Sequence, residues 1–275
     1  MKKKVLKIIA LVIAIALIVG VCWFANALNG NPLSKMLAEK AVVAYLAENY
    51  AHTDYYVEKL AYSFKFGNYY AHIRSEASMD TQFTLYIDMI GNVHFDTFDD
   101  VLRGAITARR LEQEYRDLTD QIFDNPSFPY PSDIGYGTLE IYPQEALDDP
   151  QVNDIPDYAL VQQDLVLDQI YDIRELGRQA GHLIIYVESD TISFELAAKI
   201  LLDIREEFDN ANIPFRAIDF SLQPPLPDEG PRTGFEIHFK NFPYEDIYEE
   251  GLEYRIKTAH DALEAYYAEQ DGKNQ

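Results

Sequence analysis

The chain has 275 residues, 46 acidic against 23 basic side chains, a formal charge of −23, and 48% hydrophobic with 13% aromatic content. That much apolar material is enough to pack a core and excludes an acidic disordered tail. It also excludes nucleic acid as a partner, because phosphate backbones are bound through clustered Lys and Arg, and no basic patch stands out.

The first element is an apolar run, Ile8 to Ala25, free of charged residues and preceded by Lys2, Lys3, Lys4 and Lys7. As a helix it suffices for about 30 Å of hydrocarbon. The lysines hold the amino end in the cytoplasm and send everything after Leu28 outside. Trp23 and Phe24 sit at the level of an outer interfacial belt. Two processing routes compete with a retained anchor. Ala25-Asn26-Ala27 has the small-x-small form of a cleavage site, although the apolar core is long and bulky residues abut it. Lipidation of Cys22 is disfavoured by Val21 before it and Trp23 after it. Cys22 is the single cysteine, so the exported part has no disulfide, thiol nucleophile or thiolate metal site.

After Asn29-Gly30-Asn31-Pro32, residues Ser34 to Tyr50 read as a helix with Ser34 as its cap. Four strands of period two follow: Leu60, Tyr62, Phe64 and Phe66; Tyr69, Ala71 and Ile73; Phe83, Leu85 and Ile87; Val93 and Phe95. Gly67-Asn68 and Gly91-Asn92 read as two-residue hairpin turns. Asp99 to Phe123 then carries Val101, Ala105, Ala108, Leu111, Tyr115, Leu118 and Ile122 at spacings of three and four, which predicts one continuous helix from Val101 to Ile122 bridging two halves. Pro126, Pro129 and Pro131 mark the expected boundary. The second half reads as a strand at Ile134 to Tyr142, an acidic loop through Asp157, a helix at Gln162 to Leu176 ending on Gly177, and a strand at His182 to Glu188. An amphipathic helix with Phe194, Ala197, Leu201, Ile204 and Phe208 follows, then strands at Phe215 to Leu222 and Phe235 to Lys240. A proline-rich protrusion, Gln223 to Thr233, joins those two strands. The closing helix runs from Tyr244 to about Glu269, with Tyr248, Leu252, Ile256, Ala259 and Leu263 buried and Glu245 and Asp246 at its positive end.

The expected fold class is therefore α+β. An anchor and its lysines occupy 1–28, a helix on a four-stranded antiparallel sheet with the bridging helix 29–124, a linker 125–133, and an α/β sandwich with a mixed sheet 134–275.

The anchor ending Cys22-Trp23-Phe24-Ala25-Asn26, followed by Tyr62-Ser63-Phe64-Lys65 and Phe83-Thr84-Leu85-Tyr86, resembles the YfjL-like group of uncharacterised single-span proteins of Gram-positive bacteria, best over Met1 to about Phe123. The resemblance implies a surface location and carries over no activity or functional residue.

Zincin, Walker, nucleophile-elbow and EF-hand spacings are missing, and Gly135-Tyr136-Gly137 lacks the third glycine of a dinucleotide site. His94 and Asp96 share a strand face by alternation, although a solvated outer face accounts for them more simply. Acidic groups at Asp96, Asp99 and Asp100, at Asp148, Asp149, Asp154 and Asp157, and at Glu245 to Glu250 lack calcium-loop spacing and read as solvated charge. The tyrosine pairs Tyr55-Tyr56, Tyr69-Tyr70 and Tyr266-Tyr267 each place one ring inward and one outward. The expected binding residues are Phe128, Tyr130, Asp148, Asp149, Asp154 and Asp157, in a cleft between the halves. No cofactor, metal or catalytic residue is expected. The reading is a membrane-anchored, extracytoplasmic binding module in contact with lipid through its helix and with an envelope protein or wall component through its body. The alternative is an envelope hydrolase acting through paired carboxylates.

Overall fold

The computed structural model describes residues 2–130, 132, 134–152, 155–227 and 230–273; of 2, 3, 5, 6, 22, 23, 25, 27, 29, 271 and 273 it describes the backbone alone. The readings at Cys22, Trp23, Ala25 and Ala27, and those at Pro131 and Asp154, fall outside the described side chains or residues. The chain forms two compact units, Met1–Ile106 and Thr107–Gln275. The division precedes the proline-rich segment, which belongs to the second unit because Phe128 is buried in that unit's core.

In the first unit, α1 (Lys2–Asn29) leads through Gly30 into α2 (Pro32–Asn49). Every described side chain of α1 from Lys7 to Val21 is exposed. Among the described residues no helix is long and apolar enough to cross a membrane. The cap of α2 is Asn31 rather than Ser34: Asn31 Oδ1 accepts from the Ser34 amide (2.8 Å), and Ser34 Oγ reaches back toward the Asn31 amide, which makes Ser34 the third residue of a capping box.

Strands β1 (Tyr55–Ser63), β2 (Asn68–Ser75), β3 (Gln82–Ile87) and β4 (Val93–Asp96) form an antiparallel meander in sequence order. Its inner face, Tyr69, Ala71, Ile73, Phe83, Leu85 and Ile87, packs on Ala38 and Val42 of α2. Two expectations fail here. The β1–β2 connection is four residues, closed by the Gly67 amide donating to Ser63 O, so Phe64 and Phe66 lie in an exposed turn instead of the core. A register shift between Tyr86 and Ile87 turns Phe95 outward, where it stacks on Tyr86 at 4.5 Å, and brings Asp96 inward. There Asp96 Oδ2 accepts from Tyr45 Oη (2.7 Å) and Tyr50 Oη (2.8 Å).

The predicted continuous helix is two: α3 (Phe98–Leu102) and α4 (Ala105–Phe123). Gly104, at φ 77°, takes the left-handed conformation that ends a helix. Val101 and Ile106 belong to the first core, and Ala108, Leu111 and Tyr115 to the second.

The second unit contains β5 (Ile134–Leu139), β6 (Ile141–Tyr142), α5 (Gln144–Leu147), β7 (Leu160–Val161), α6 (Ile173–Ala180), β8 (Gly181–Glu188), α7 (Phe194–Asn210), β9 (Ala217–Gln223), β10 (Ile237–Pro243) and α8 (Leu252–Lys273). Its main sheet has the order β10-β9-β8-β5, with only β8 and β9 parallel. The crossover α7 buries Ala197, Ile200, Leu201, Ile204 and Phe208 against Leu183, Ile185, Ile218 and Phe220. Both edge strands are covered by helices. Thr119 Oγ1 of α4 accepts from the Gly137 amide of β5 (2.9 Å), and His260 Nδ1 of α8 lies 3.4 Å from the His238 amide of β10.

Instead of the predicted helix at Gln162 to Leu176, the chain makes a single turn at Gln162–Asp164 and an irregular stretch before α6. Gly177 lies inside α6 instead of ending a helix, at a close approach that excludes a side chain: a Cβ there would sit 2.6 Å from both Pro214 O and Tyr115 Cε2. The last helix starts at Leu252, not Tyr244. Tyr248 is exposed under the Arg255 guanidinium (3.6 Å), and Glu245 pairs with Arg216 (3.0 Å).

Candidate functional site

Strand alternation gives the mixed sheet one apolar face under the helices and one polar face. The register aligns Thr138, His182 and Ala217 in one row across β5, β8 and β9, and Tyr186, Ser221 and His238 in another across β8, β9 and β10. Asp219 stands between these rows. The polar face therefore collects histidines, carboxylates and tyrosines from segments far apart in the chain.

His182 is almost fully buried and has acceptors at both ring nitrogens. Nδ1 lies 2.8 Å from Tyr158 Oη and 3.2 Å from Glu140 Oε1, and Nε2 lies 2.9 Å from Asp219 Oδ1. The bracket is itself braced. Tyr142 Oη donates to Glu140 Oε2 (2.7 Å), Tyr158 Oη to Asn241 Oδ1 (3.0 Å), and the Asn241 amide to Asp219 Oδ1 (2.7 Å). Asn241 does so from φ 53°, at the register shift that interrupts β10. Burial raises the Tyr158 phenol well above the ordinary tyrosine range, and the nearby Glu140 and Asp219 charges add to it. Glu112 of α4 is raised as well, first by burial. A cavity of about 260 Å³ opens beside Tyr158, Asp157, Arg216 and Asn241.

The second row repeats the pattern. His238 Nε2 lies 3.0 Å from Glu264 Oε1 on α8, and Nδ1 lies 3.6 Å from Glu236 Oε1. Around it runs a groove of about 430 Å³ with Ser221 and Gln223 in its floor, Tyr186 and Tyr267 on its rim, and Asp219 joining it to the His182 bracket. Both rim tyrosines are partly open to solvent, at 38% and 40%. Among the described residues no group of three or more His, Cys, Asp or Glu side chains is arranged to hold a metal ion; the carboxylates flank each imidazole on opposite sides instead of converging on one point.

The residues expected from sequence are scattered. Phe128 is a core side chain, edge-on to Phe123 (5.6 Å). Tyr130 donates to Asp203 and accepts from Lys199 Nζ (3.0 Å), as a brace on α7. Asp148 and Asp149 are exposed and accept locally from Gln144 and Gln151. Asp157 alone borders the polar face, through the smaller cavity. His94 and Asp96 part company: His94 is exposed, 3.8 Å from Asp88, whereas Asp96 points inward. Glu140, Tyr158, His182, Asp219, His238 and Glu264 escaped the sequence reading. The available signal was a histidine inside each of two strands whose apolar neighbours alternate, because such a residue must find partners on the far face.

No curated protein and no solved structure matches the chain. Residues 3–97 match the YfjL-like N-terminal domain and residues 114–257 the YfjL-like C-terminal domain. The resemblance thus extends well beyond Phe123 into the unit that carries the polar sheet face, and the chain belongs to the YfjL-like family.

Proposed function

We propose that the chain is a membrane-anchored binding module of a Gram-positive cell envelope, with its amino end in the cytoplasm, its body outside, and the polar face of the mixed sheet as its binding surface for a hydroxyl-rich wall component. The anchor reading rests on the uncharged run Ile8 to Ala25, its helical backbone and the lysines before it. The single cysteine is consistent with an exported body that depends on its core alone.

The observation that carries the binding reading is the groove of about 430 Å³ between the strands and α8. Half-exposed tyrosine rings offer flat apolar faces to sugar C–H groups, while Ser221, Gln223, Asp219 and Glu264 offer donors and acceptors for hydroxyls. Binding is favoured over hydrolysis by the state of the carboxylates. Glu140 and Asp219 are both engaged by His182, and Glu236 and Glu264 flank His238, which among the described residues leaves no isolated acid and base pair facing the groove.

The test is titration of the nanodisc-embedded full chain with solubilised cell-wall glycan fragments, followed by amide chemical shifts. Shifts confined to β8, β9, β10 and α8, and lost on Tyr186→Ala with Tyr267→Ala, support the reading. Saturation without shifts on that face, or turnover of the glycan, refutes it.

A further inference from the structure

We infer that the end of the first unit next to α1 is a lipid-contacting collar, seated in the interface of the bilayer that holds the anchor. This inference rests on the anchor reading above and adds to it a second, non-helical membrane contact.

The junction between α1 and α2 is fixed at one end of the meander. A Cβ at Gly30 would lie 2.4 Å from Tyr69 Oη and 3.1 Å from Tyr62 Cγ. Ser34 Oγ is hydrogen-bonded to Tyr69 Oη at 2.8 Å. Tyr62 and Tyr69 are paired one step before the β1–β2 turn. The β3–β4 turn lies at the same end, since an antiparallel meander places alternate turns together, and a Cβ at Gly91 would be 3.1 Å from Leu37 O of α2.

Three segments therefore surround the point where α1 enters the body, and each carries apolar side chains that the fold leaves uncovered. Leu33 is 63% exposed, Phe64 68%, Phe66 71% and Ile90 72%. None of these residues belongs to either core.

Charge distribution selects lipid as the occupant. In a chain with twice as many acids as bases, the collar segments 30–37, 64–68 and 88–93 contain two lysines, Lys35 and Lys65, and one acid, Asp88, whose carboxylate is turned back onto the Ile90 and Asn92 amides (2.9 and 2.8 Å). Lys65 lies over the Phe66 ring at 5.3 Å, an apolar stem beside an aromatic with its ammonium free to reach phosphate. Phenylalanines flanking a lysine at the exit of an apolar helix suit the headgroup boundary, where rings enter the acyl region and cations meet anionic headgroups. An acidic surface there would be repelled by the same headgroups.

The experiment uses the full chain in nanodiscs of phosphatidylglycerol and phosphatidylethanolamine, with Cys22→Ser as background and a nitroxide attached at Phe66→Cys, Ile90→Cys or Met79→Cys. Met79 is exposed in the β2–β3 turn at the opposite end and serves as the aqueous reference. Collisions with dissolved oxygen, relative to a water-soluble nickel chelate, should be several-fold more frequent at 66 and 90 than at 79. Equal ratios at all three positions, with the chain still co-eluting with the nanodisc, overturn the collar and leave the anchor standing. A chain that elutes apart from the nanodisc overturns both. Thermal melting of each labelled chain shows that the body is intact, and a label at Phe64→Cys repeats the measurement should Phe66→Cys unfold.

Discussion

Replacing His182 with Phe keeps the volume of the ring and removes both nitrogens from between Glu140 and Asp219. Leaving a buried carboxylate without a hydrogen-bonding partner costs about 1–3 kcal/mol. The two carboxylates differ in how far this applies. Glu140 has 10% of its side chain exposed and keeps Tyr142 as a hydrogen-bond donor, so it sits near the upper bound of that range. Asp219 is 24% exposed and keeps the Asn241 amide, so its share falls to about 1 kcal/mol. The expected loss is thus about 3 to 4 kcal/mol, read as lowered amide hydrogen-exchange protection in β5, β8 and β9 at neutral pH. Local exchange is the proper assay because a chain of two units does not guarantee a single unfolding transition. Adding Glu140→Gln and Asp219→Asn should restore part of the loss, since neutral amides cost less to leave half-buried than charges. A loss below about 1 kcal/mol, or a deeper loss in the triple variant, would refute the view that these charges depend on His182.

Leu111→Asp places a carboxylate at a fully buried position in the second core and should cost several kcal/mol, enough to unfold that unit; unchanged melting would show the stripe of α4 to be dispensable. Gly177→Ala drives a methyl against Pro214 O and the Tyr115 ring, so a loss of about 1–3 kcal/mol is expected by urea unfolding, and a neutral result would mean that α6 can shift freely. Burial, and then the hydrogen bond each gives to Asp96, pushes Tyr45 up to about 12 and raises Tyr50 as well. Because the folded values lie above the unfolded one, this stabilisation is complete below the ordinary tyrosine pKa of about 10 and disappears as pH rises through the folded value. Ultraviolet titration should show these two phenols ionising late, and Asp96→Asn should bring them down; early ionisation of all tyrosines would contradict the geometry.

The first unit was largely legible because its strands obey a period of two and its helix a period near 3.6. What misled there was local. Phe64 and Phe66 continue the alternation of β1, yet Gly67 at φ 65° and a four-residue turn take them out of the sheet. Apolar spacing likewise runs straight through Gly104, so the helix break was visible only in the glycine itself. In the second unit Pro126 and Pro129 resembled a linker, but Phe128 between them is held in a core that begins twenty residues earlier, and proline stiffness says nothing about burial.

The polar sheet face was not legible for a different reason. Its residues gain meaning only from register: His182 meets Asp219 because β8 and β9 are parallel neighbours, and Glu140 joins them because β5 pairs antiparallel with β8 and the chain leaves the sheet there. The register shift in β10 between Phe239 and Phe242 then presents the Asn241 amide to Asp219. None of these pairings follows from the spacing of the residues along the chain, which separates Glu140 from Asn241 by more than half of the second unit. The abundance of acids made the sequence search weaker still, since 46 carboxylates supply a plausible pair at almost any position. Six dispersed histidines are a sparser set, and two of them, His182 and His238, fall in strands of the second half. Each strand-borne imidazole needs a partner, but its place along the chain does not say which neighbouring strand supplies it; the sheet alone limits where that partner can stand.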